Sequence, residues 1–109
     1  MKVGRIGMAK YDVYLQEVVF EDNPEEFKLR PILDLGNNTG VTLAAKITSK
    51  PPRAGYFGEY VLQQWKEAGL KKPSTIRLSK LFPLSDRKTY LGHLTPLDIH
   101  NIEKLLKGD

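Results

Sequence analysis

The chain has 109 residues, with 17 Lys and Arg against 13 Asp and Glu, a formal net charge of +4 and no cysteine. This length supports one hydrophobic core and is too short for two domains. The lack of cysteine excludes disulfides, cysteine-ligated zinc and thiol nucleophiles, and it is typical of a reducing, cytoplasmic environment. A basic excess of this size favours a polyanionic partner only if the charges gather on one face.

We expect a single domain over residues 9–109. Residues 1–8 are interpreted as an N-terminal extension or a cloning remnant, because Met8 can serve as a natural start. The basic N-terminal stretch lacks the apolar core of a signal peptide, and no later run approaches the ~20 apolar residues of a membrane span. We therefore expect no membrane association.

The first half of the chain predicts three strands separated by turn residues. Their ranges are 11–20, 29–35 and 41–48. Asp22-Asn23-Pro24 predicts the first turn and residues 36–40 the second, so the second and third strands should form a hairpin. Pro31 lacks a backbone N–H and therefore belongs at a strand start or edge.

The middle of the chain predicts a loop over residues 49–58, which contain two prolines and two glycines. Apolar residues then recur at helical spacing from Val61 to Ala68, and Gly69 suits the position after a helix end. This predicts a short mid-chain helix. A strand near Tyr60 is the competing interpretation.

The last third predicts strands over 75–84 and 88–94 and then a C-terminal helix. Thr95 suits the N-cap, Pro96 the first helical position and Asp98 the third, while Gly108 ends the pattern. Five short strands and a closing helix predict a small barrel or a strongly bent sheet. We expect six apolar side chains of the two helices to be substantially buried: Val61, Leu62, Trp65, Leu97, Ile102 and Leu105.

Metal and nucleotide cofactors have no sequence support. His93 and His100 are too far apart to form a local ligand pair, and neither HExxH nor a calcium-binding loop occurs. Glycine-rich phosphate loops are also missing, because the 36–40 turn lacks the lysine and following helix that they use. We predict neither a metal nor a cofactor.

The predicted hairpin places Arg30, at the start of one strand, beside Thr48, at the end of the next. An arginine fork with nearby hydroxyls suits a phosphodiester, and Glu25 or Glu26, in an acidic loop predicted to precede the strand, could reach the same place. The alternative is an ordinary surface salt bridge beside two polar strand-end residues.

Several segments in fixed order resemble the PemK/MazF-type toxins of type II toxin–antitoxin systems. They are Arg30-Pro31 opening an aliphatic strand, Ile47-Thr48-Ser49 closing the next, the run from Trp65 to Lys80, and Gly92-x-Leu94 before Asp98. The resemblance spans about residues 11–106. It implies a mainly β fold, a small SH3-like barrel of the CcdB/PemK/MazF type, usually as a homodimer.

The same resemblance implies a metal-independent, sequence-specific endoribonuclease that cuts single-stranded mRNA and is neutralised by a cognate antitoxin protein. DNA would be met only through the antitoxin complex. Some members carry a glutamate five positions before the arginine, which falls on Glu25. The expected catalytic residues are Arg30, Thr48 and Glu25. The expected substrate-binding residues are Ser49, Lys50, Arg53, Tyr56, Phe57 and Lys80.

Metal-free cleavage is chemically reasonable because the ribose 2′-hydroxyl can attack its own neighbouring phosphate. Arg30 would stabilise charge on the phosphorane, Thr48 would orient the phosphate with support from Ser49, and Glu25 would be the base. Lys50, Arg53, Tyr56 and Phe57 would hold the backbone and stack bases, although the two aromatic residues could equally pack the loop on the barrel. The rivals are a non-catalytic RNA- or protein-binding barrel, or an inhibitor of a protein such as a topoisomerase.

Overall fold

Six strands and one helix make up the described part of the computed structural model, residues 9–20, 23–38, 40–55 and 57–107. They are β1 (Asp12–Phe20), β2 (Asn23–Asn38), β3 (Val41–Thr48), β4 (Glu59–Val61), β5 (Thr75–Pro83), β6 (Lys88–His93) and α1 (Pro96–Lys107). The strands form one antiparallel sheet in the order β4-β5-β3-β2-β1-β6. The prediction of a mainly β chain with a C-terminal helix is confirmed. The sheet is open, with β4 and β6 as its edges.

The predicted hairpin is confirmed, because β2 and β3 pair antiparallel in the register Ile32↔Lys46 and Asp34↔Ala44. Near the turn the register shifts, and Gly36 adopts φ +94° there while its N–H donates to Asp34 Oδ1 at 2.7 Å. A left-handed φ of this kind favours glycine because a Cβ would be strained.

Strand β2 is much longer than the predicted 29–35 strand. Its pairing with β1 continues past Arg30 to Phe27 and Asn23. The acidic residues before Arg30 therefore lie in a strand, and the prediction that they form a loop is wrong. The local turn chemistry of Asn23 and Pro24 is overridden by pairing with the neighbouring strand.

The predicted mid-chain helix is also wrong, and the competing strand near Tyr60 is found as β4. After β4 the backbone makes a single helical turn, in which Leu70 N donates to Trp65 O and Gly69 N to Lys66 O, both at 3.1 Å. Gly69 has φ +93° and ends this turn by the expected Schellman pattern. One turn is too short to form a stable helix, because too few backbone hydrogen bonds offset the cost of nucleation.

The C-terminal helix begins at Pro96 as predicted, while Gly108 lies outside the described residues. Asp98 in its first turn is fully buried. Its carboxylate accepts hydrogen bonds from Tyr60 Oη at 2.5 Å and from the backbone N–H groups of Gln63 and Gln64 at 2.9 Å. Burial and the hydrogen bond to Asp98 raise the pKa of Tyr60 to about 12. None of the described helical residues forms a segment long and apolar enough to cross a membrane.

The main core lies between one face of the sheet, the mid-chain turn and α1. It contains Val13, Leu33, Ile47 and Ile76 from the strands, joined by Leu62, Ala68, Leu94 and Ile102. Tyr14, Ile32 and Ala44 form a smaller buried cluster. The two clusters explain why the strands carry continuous apolar runs rather than strict alternation.

The burial predictions are confirmed for Leu62 and Ile102, and Trp65 packs half-buried against the main core. They are wrong for three residues that are 41–48 % exposed: Val61, Leu97 and Leu105. Val61 belongs to the edge strand rather than to a helix. On α1 the inward positions are those of Asp98 and Ile102, because the hydrogen bonds of Asp98 allow a carboxylate to occupy a core position.

Gly69 and Gly92 place the mid-chain turn and β6 in direct backbone contact. A Cβ on Gly92 would lie 2.3 Å from Ala68 O, and a Cβ on Gly69 would lie 2.2 Å from Leu91 O. Both contacts are with backbone atoms, so a side chain at either position would push the turn away from the strand.

We expect Gly92→Ala to lower the free energy of unfolding by about 3 kcal/mol, because the added methyl overlaps the Ala68 carbonyl and the backbone must shift. The measurement is urea unfolding followed by circular dichroism. Gly55→Ala is the control, since Gly55 has φ +79° with nothing within 4 Å of a Cβ; it should cost only about 1 kcal/mol of backbone strain. Equal losses in the two variants would contradict the close contact.

Asp98→Asn should lower the free energy of unfolding by about 2 kcal/mol, because an amide nitrogen cannot accept one of the N–H donors that the carboxylate now holds. The same urea titration measures it. Asp86→Asn, at an exposed turn position, should stay within about 0.5 kcal/mol of the wild type. An Asp98→Asn protein as stable as Asp86→Asn would show that these hydrogen bonds contribute little.

Candidate functional site

Arg30 and Thr48 lie on the same face of the sheet. Each is two residues beyond the paired positions Ile32 and Lys46, so strand alternation returns both to the face that those residues occupy. Arg30 of β2 is paired with Gln16 of β1, and Thr48, at the end of β3, is paired with Thr75 of β5. The two residues predicted to share a site therefore lie on one surface at the end of the β2–β3 pair.

Both residues line an open groove of about 670 Å³, here called the first groove. Its cationic lining residues are Arg30, Lys46, Lys50, Lys71, Lys72 and Arg77. Its described lining contains no carboxylate. Hydroxyl groups come from Thr48, Ser49 and Ser74, and the apolar part includes Leu15, Pro31 and Leu70. The surface is therefore strongly positive, with an apolar component able to receive flat, uncharged groups.

Thr48, Ser49 and Lys50 form a tight bend where β3 ends. The backbone N–H of Lys50 donates to Thr48 Oγ1 at 3.2 Å. Because that oxygen acts as an acceptor, the hydroxyl hydrogen of Thr48 is available to donate to a bound oxygen. Ser49 and Lys50 are exposed beside it. This bend brings three polar side chains to the rim of the first groove.

A second groove of about 620 Å³ adjoins the first one. The two grooves share Val18, Lys46 and Arg77 as lining residues. The second groove adds the predicted substrate-binding residues Arg53 and Lys80, and also Glu17. Arg53 and Lys80 are thus separated from Ser49 and Lys50, and the predicted binding residues divide between two connected surfaces.

Lys46 and Arg77 stand directly opposite each other on β3 and β5, and Arg77 is in turn opposite Glu59 on β4. The β3–β5 register shifts at this point, from Ala45↔Leu81 to Lys46↔Arg77. This irregularity inserts extra residues into β5. It brings two cations face to face, an arrangement that normally destabilises a sheet.

Glu59 is covered by two arginines. It accepts from the Arg53 backbone N–H at 3.0 Å and from Arg53 Nε at 2.9 Å, and Arg77 Nε lies 3.7 Å away. These hydrogen bonds, assisted by both positive charges, lower the pKa of Glu59. The carboxylate therefore stays ionised and ties the 49–58 loop to the sheet through Arg53.

Lys46 lies at the centre of the positive surface. Partial burial lowers its pKa, and the nearby charges of Arg77, Arg30 and Arg53 lower it further. Titratable groups perturbed by burial and by like charge in a cleft are typical of functional sites.

Some of the predicted site residues are described only in part. Phe57 is 89 % exposed on the loop, so for Phe57 the packing alternative is wrong. Tyr56 lies outside the described residues. Glu25 lies in β2, but its side chain is outside the described part of the chain, as is that of Glu26.

Five charged or hydroxyl-bearing lining residues were missed by the sequence-based site prediction: Lys46, Lys71, Lys72, Ser74 and Arg77. One signal was available for Lys46, which interrupts an otherwise apolar strand. The pairing of Lys46 with Arg77 had no local signal, because it depends on the β3–β5 register shift.

The two histidines do not come together. His93 Nδ1 lies 2.8 Å from Asp12 Oδ1, and the other carboxylate oxygen of Asp12 accepts from Tyr14 Oη at 3.0 Å. His100 is exposed on α1. Within the described ranges, no three His, Cys, Asp or Glu residues are grouped as metal ligands.

No protein-family model matches the chain, and no curated protein matches it significantly. Function is therefore inferred from the two grooves and from the segments that resemble the PemK/MazF-type toxins.

We expect Lys46→Met to be more stable than the wild type near pH 7, with the difference shrinking as the pH rises toward 10.5. Folding lowers the pKa of Lys46, so the unfolded chain binds the lysine proton more tightly than the folded chain does. Near pH 7 the charged lysine therefore lowers the free energy of unfolding of the wild type. This loss disappears as the pH rises and the folded protein releases the proton. Urea midpoints measured from pH 7 to 10.5 test this. A difference independent of pH would show that Lys46 is not electrostatically strained.

Proposed function

We propose that this protein is a PemK/MazF-type toxin, a metal-independent endoribonuclease that cuts single-stranded RNA in the cytoplasm. In this proposal the bent sheet is of the SH3-like barrel type, the protein acts as a homodimer, and a cognate antitoxin neutralises it. The observation that carries the proposal is the first groove, whose described lining has six cationic residues and no carboxylate around Arg30 and Thr48.

Single-stranded RNA fits this surface better than a small anion does. Its phosphates would contact the cationic residues, and its unpaired bases would find apolar surface at Leu15, Pro31 and Leu70. Phe57, which is almost fully exposed, can stack on a base.

In the proposed reaction the 2′-hydroxyl attacks the adjacent phosphorus and the bond to the 5′-oxygen breaks. The products are a cyclic phosphate and a 5′-oxygen, which takes a proton from water to become a 5′-hydroxyl. Arg30 would stabilise the negative charge that builds up on the equatorial phosphate oxygens. Thr48 would donate its hydroxyl hydrogen to one of them. Glu25 is proposed as the base that accepts the 2′-proton, on the resemblance alone.

A non-catalytic RNA-binding module is the second candidate. It is favoured by the lack of a carboxylate in the described lining of the first groove, because binding needs only the cationic residues. Such a module would hold the same RNA and leave it intact. RNA cleavage and RNA binding must therefore be measured separately.

Arg30→Ala should reduce the cleavage rate of single-stranded RNA by ~10²-fold or more, because it removes charge stabilisation that matters most in the transition state. Arg30→Lys should recover little, since lysine lacks the bidentate fork. Cleavage of a fluorophore–quencher oligoribonucleotide in EDTA measures the rate. Lys66→Ala, an exposed residue outside both grooves, is the control and should cut at the wild-type rate.

Three outcomes would contradict parts of the proposal. Cleavage that requires added Mg²⁺ would exclude the metal-free reaction, and an Arg30→Ala protein with native activity would exclude the role of Arg30. RNA that is bound but never cut would favour the non-catalytic module.

A further inference from the structure

We propose that Lys46 and Arg77 form a second phosphate-binding subsite where the two grooves meet, which directs one RNA chain from the first groove into the second. This inference rests on the proposed function and extends it. Arg30 and Thr48 would hold the phosphate that reacts, and the Lys46–Arg77 pair would hold another phosphate of the same strand.

The position of the pair gives the first support. Lys46 and Arg77 line both grooves, and Arg53 and Lys80 continue the positive surface into the second one. Neighbouring strands lie about 4.8 Å apart, so the cations on β2, β3 and β5 follow one another across the sheet. An extended chain of phosphates can follow such a path, because its charges recur at short intervals.

The charge balance gives the second support. Three cations meet at the junction, namely Lys46, Arg77 and Arg53. Lys80 adds a fourth positive charge in the second groove, against the two carboxylates of Glu59 and Glu17. Arg53 takes most of the hydrogen bonding of Glu59. The region therefore keeps an excess of positive charge that an anionic group can neutralise.

The hydrogen bonding of the Arg77 guanidinium gives the third support. Its Nε is buried and makes no hydrogen bond within the described residues, since Glu59 at 3.7 Å is too distant. Together with the facing ammonium of Lys46, this guanidinium suits a phosphate that accepts hydrogen bonds from both.

A phosphate bound at the junction would also offset the repulsion between Lys46 and Arg77. Two cations opposite each other in a sheet destabilise the free protein, and a lysine with lowered pKa is costly to keep charged. A phosphate bound between them would offset both the repulsion and the cost of keeping Lys46 charged. RNA binding would therefore raise the free energy of unfolding above that of the free protein.

The test is binding of a fluorescent 12-nucleotide single-stranded RNA with 2′-O-methyl riboses, which cannot be cut, in EDTA at several salt concentrations. Lys46→Met should weaken binding about tenfold at 0.1 M salt, the loss expected for one charge-assisted contact. It should also lower the salt slope by about 0.7, the value for one phosphate contact on a single strand. Lys46→Arg should keep both the affinity and the slope.

Lys66→Met is the matched control, because Lys66 is exposed and lines neither groove. Its affinity and salt slope should equal those of the wild type. Thermal unfolding with and without the RNA supplies a second readout. The RNA should raise the Tm of the wild type more than that of Lys46→Met, and without RNA the Tm of Lys46→Met should be no lower than that of the wild type.

The outcomes separate the two proposals. A wild-type protein that binds no RNA would overturn the proposed function, whereas RNA binding that is equal in Lys46→Met and Lys66→Met would overturn the subsite alone. Loss of affinity without a change in salt slope would also overturn the subsite, because it would indicate a structural effect. A competition experiment uses polyglutamate of the same total charge as the RNA. If polyglutamate displaces the RNA, and Lys46→Met weakens the binding of both equally, the surface would be assigned to an acidic protein segment instead.

Discussion

The buried carboxylate of Asp98 is the interaction on which the arrangement of the second half of the chain depends. It joins the first turn of α1 to the end of β4 through Tyr60 and to the mid-chain turn through two backbone N–H groups. The mid-chain turn leads directly into residues 69–72 and Ser74, which line the first groove. A carboxyl group buried in the core therefore holds the segment that lines the first groove. A buried carboxylate is tolerable because every donor aimed at it comes from a fixed element.

The two grooves differ in whether a carboxylate neutralises part of their positive charge in the free protein. In the second groove, Glu59 forms an ion pair with Arg53. This ion pair neutralises one positive charge and also attaches the 49–58 loop to the sheet. In the described lining of the first groove no acid plays that part. A rigid sheet with fixed strand spacing keeps these cations in place despite their repulsion, which leaves the surface prepared for an anion before one arrives.

Local chemistry was sufficient to predict the β2–β3 hairpin, β3 and the start of α1. Each depends on residues close in sequence, such as the glycines between the two strands and Pro96 at the first position of the helix. The mid-chain helix was mispredicted because the apolar spacing from Val61 to Ala68 is met by an edge strand and a single turn. The buried face of α1 was mispredicted because an acidic residue, Asp98, occupies a core position. The same limit applies to the site. The hairpin brings Arg30 and Thr48 to one surface, whereas the residue opposite Lys46 comes from β5, across a register shift.

The pairing of β1 with β6 has a consequence for the order in which the molecule assembles. β6 lies close to the end of the described chain, yet β1 is held between it and β2, and Leu91 of β6 lines the first groove. Pairing between such distant segments is slow to form, because the long connecting chain must first lose its freedom. During synthesis β1 and β2 emerge before β6, so one side of β1 stays unpaired until β6 has been synthesised. The groove is thus completed only once β6 is in place, and a nascent chain that still lacks β6 does not present the finished binding surface.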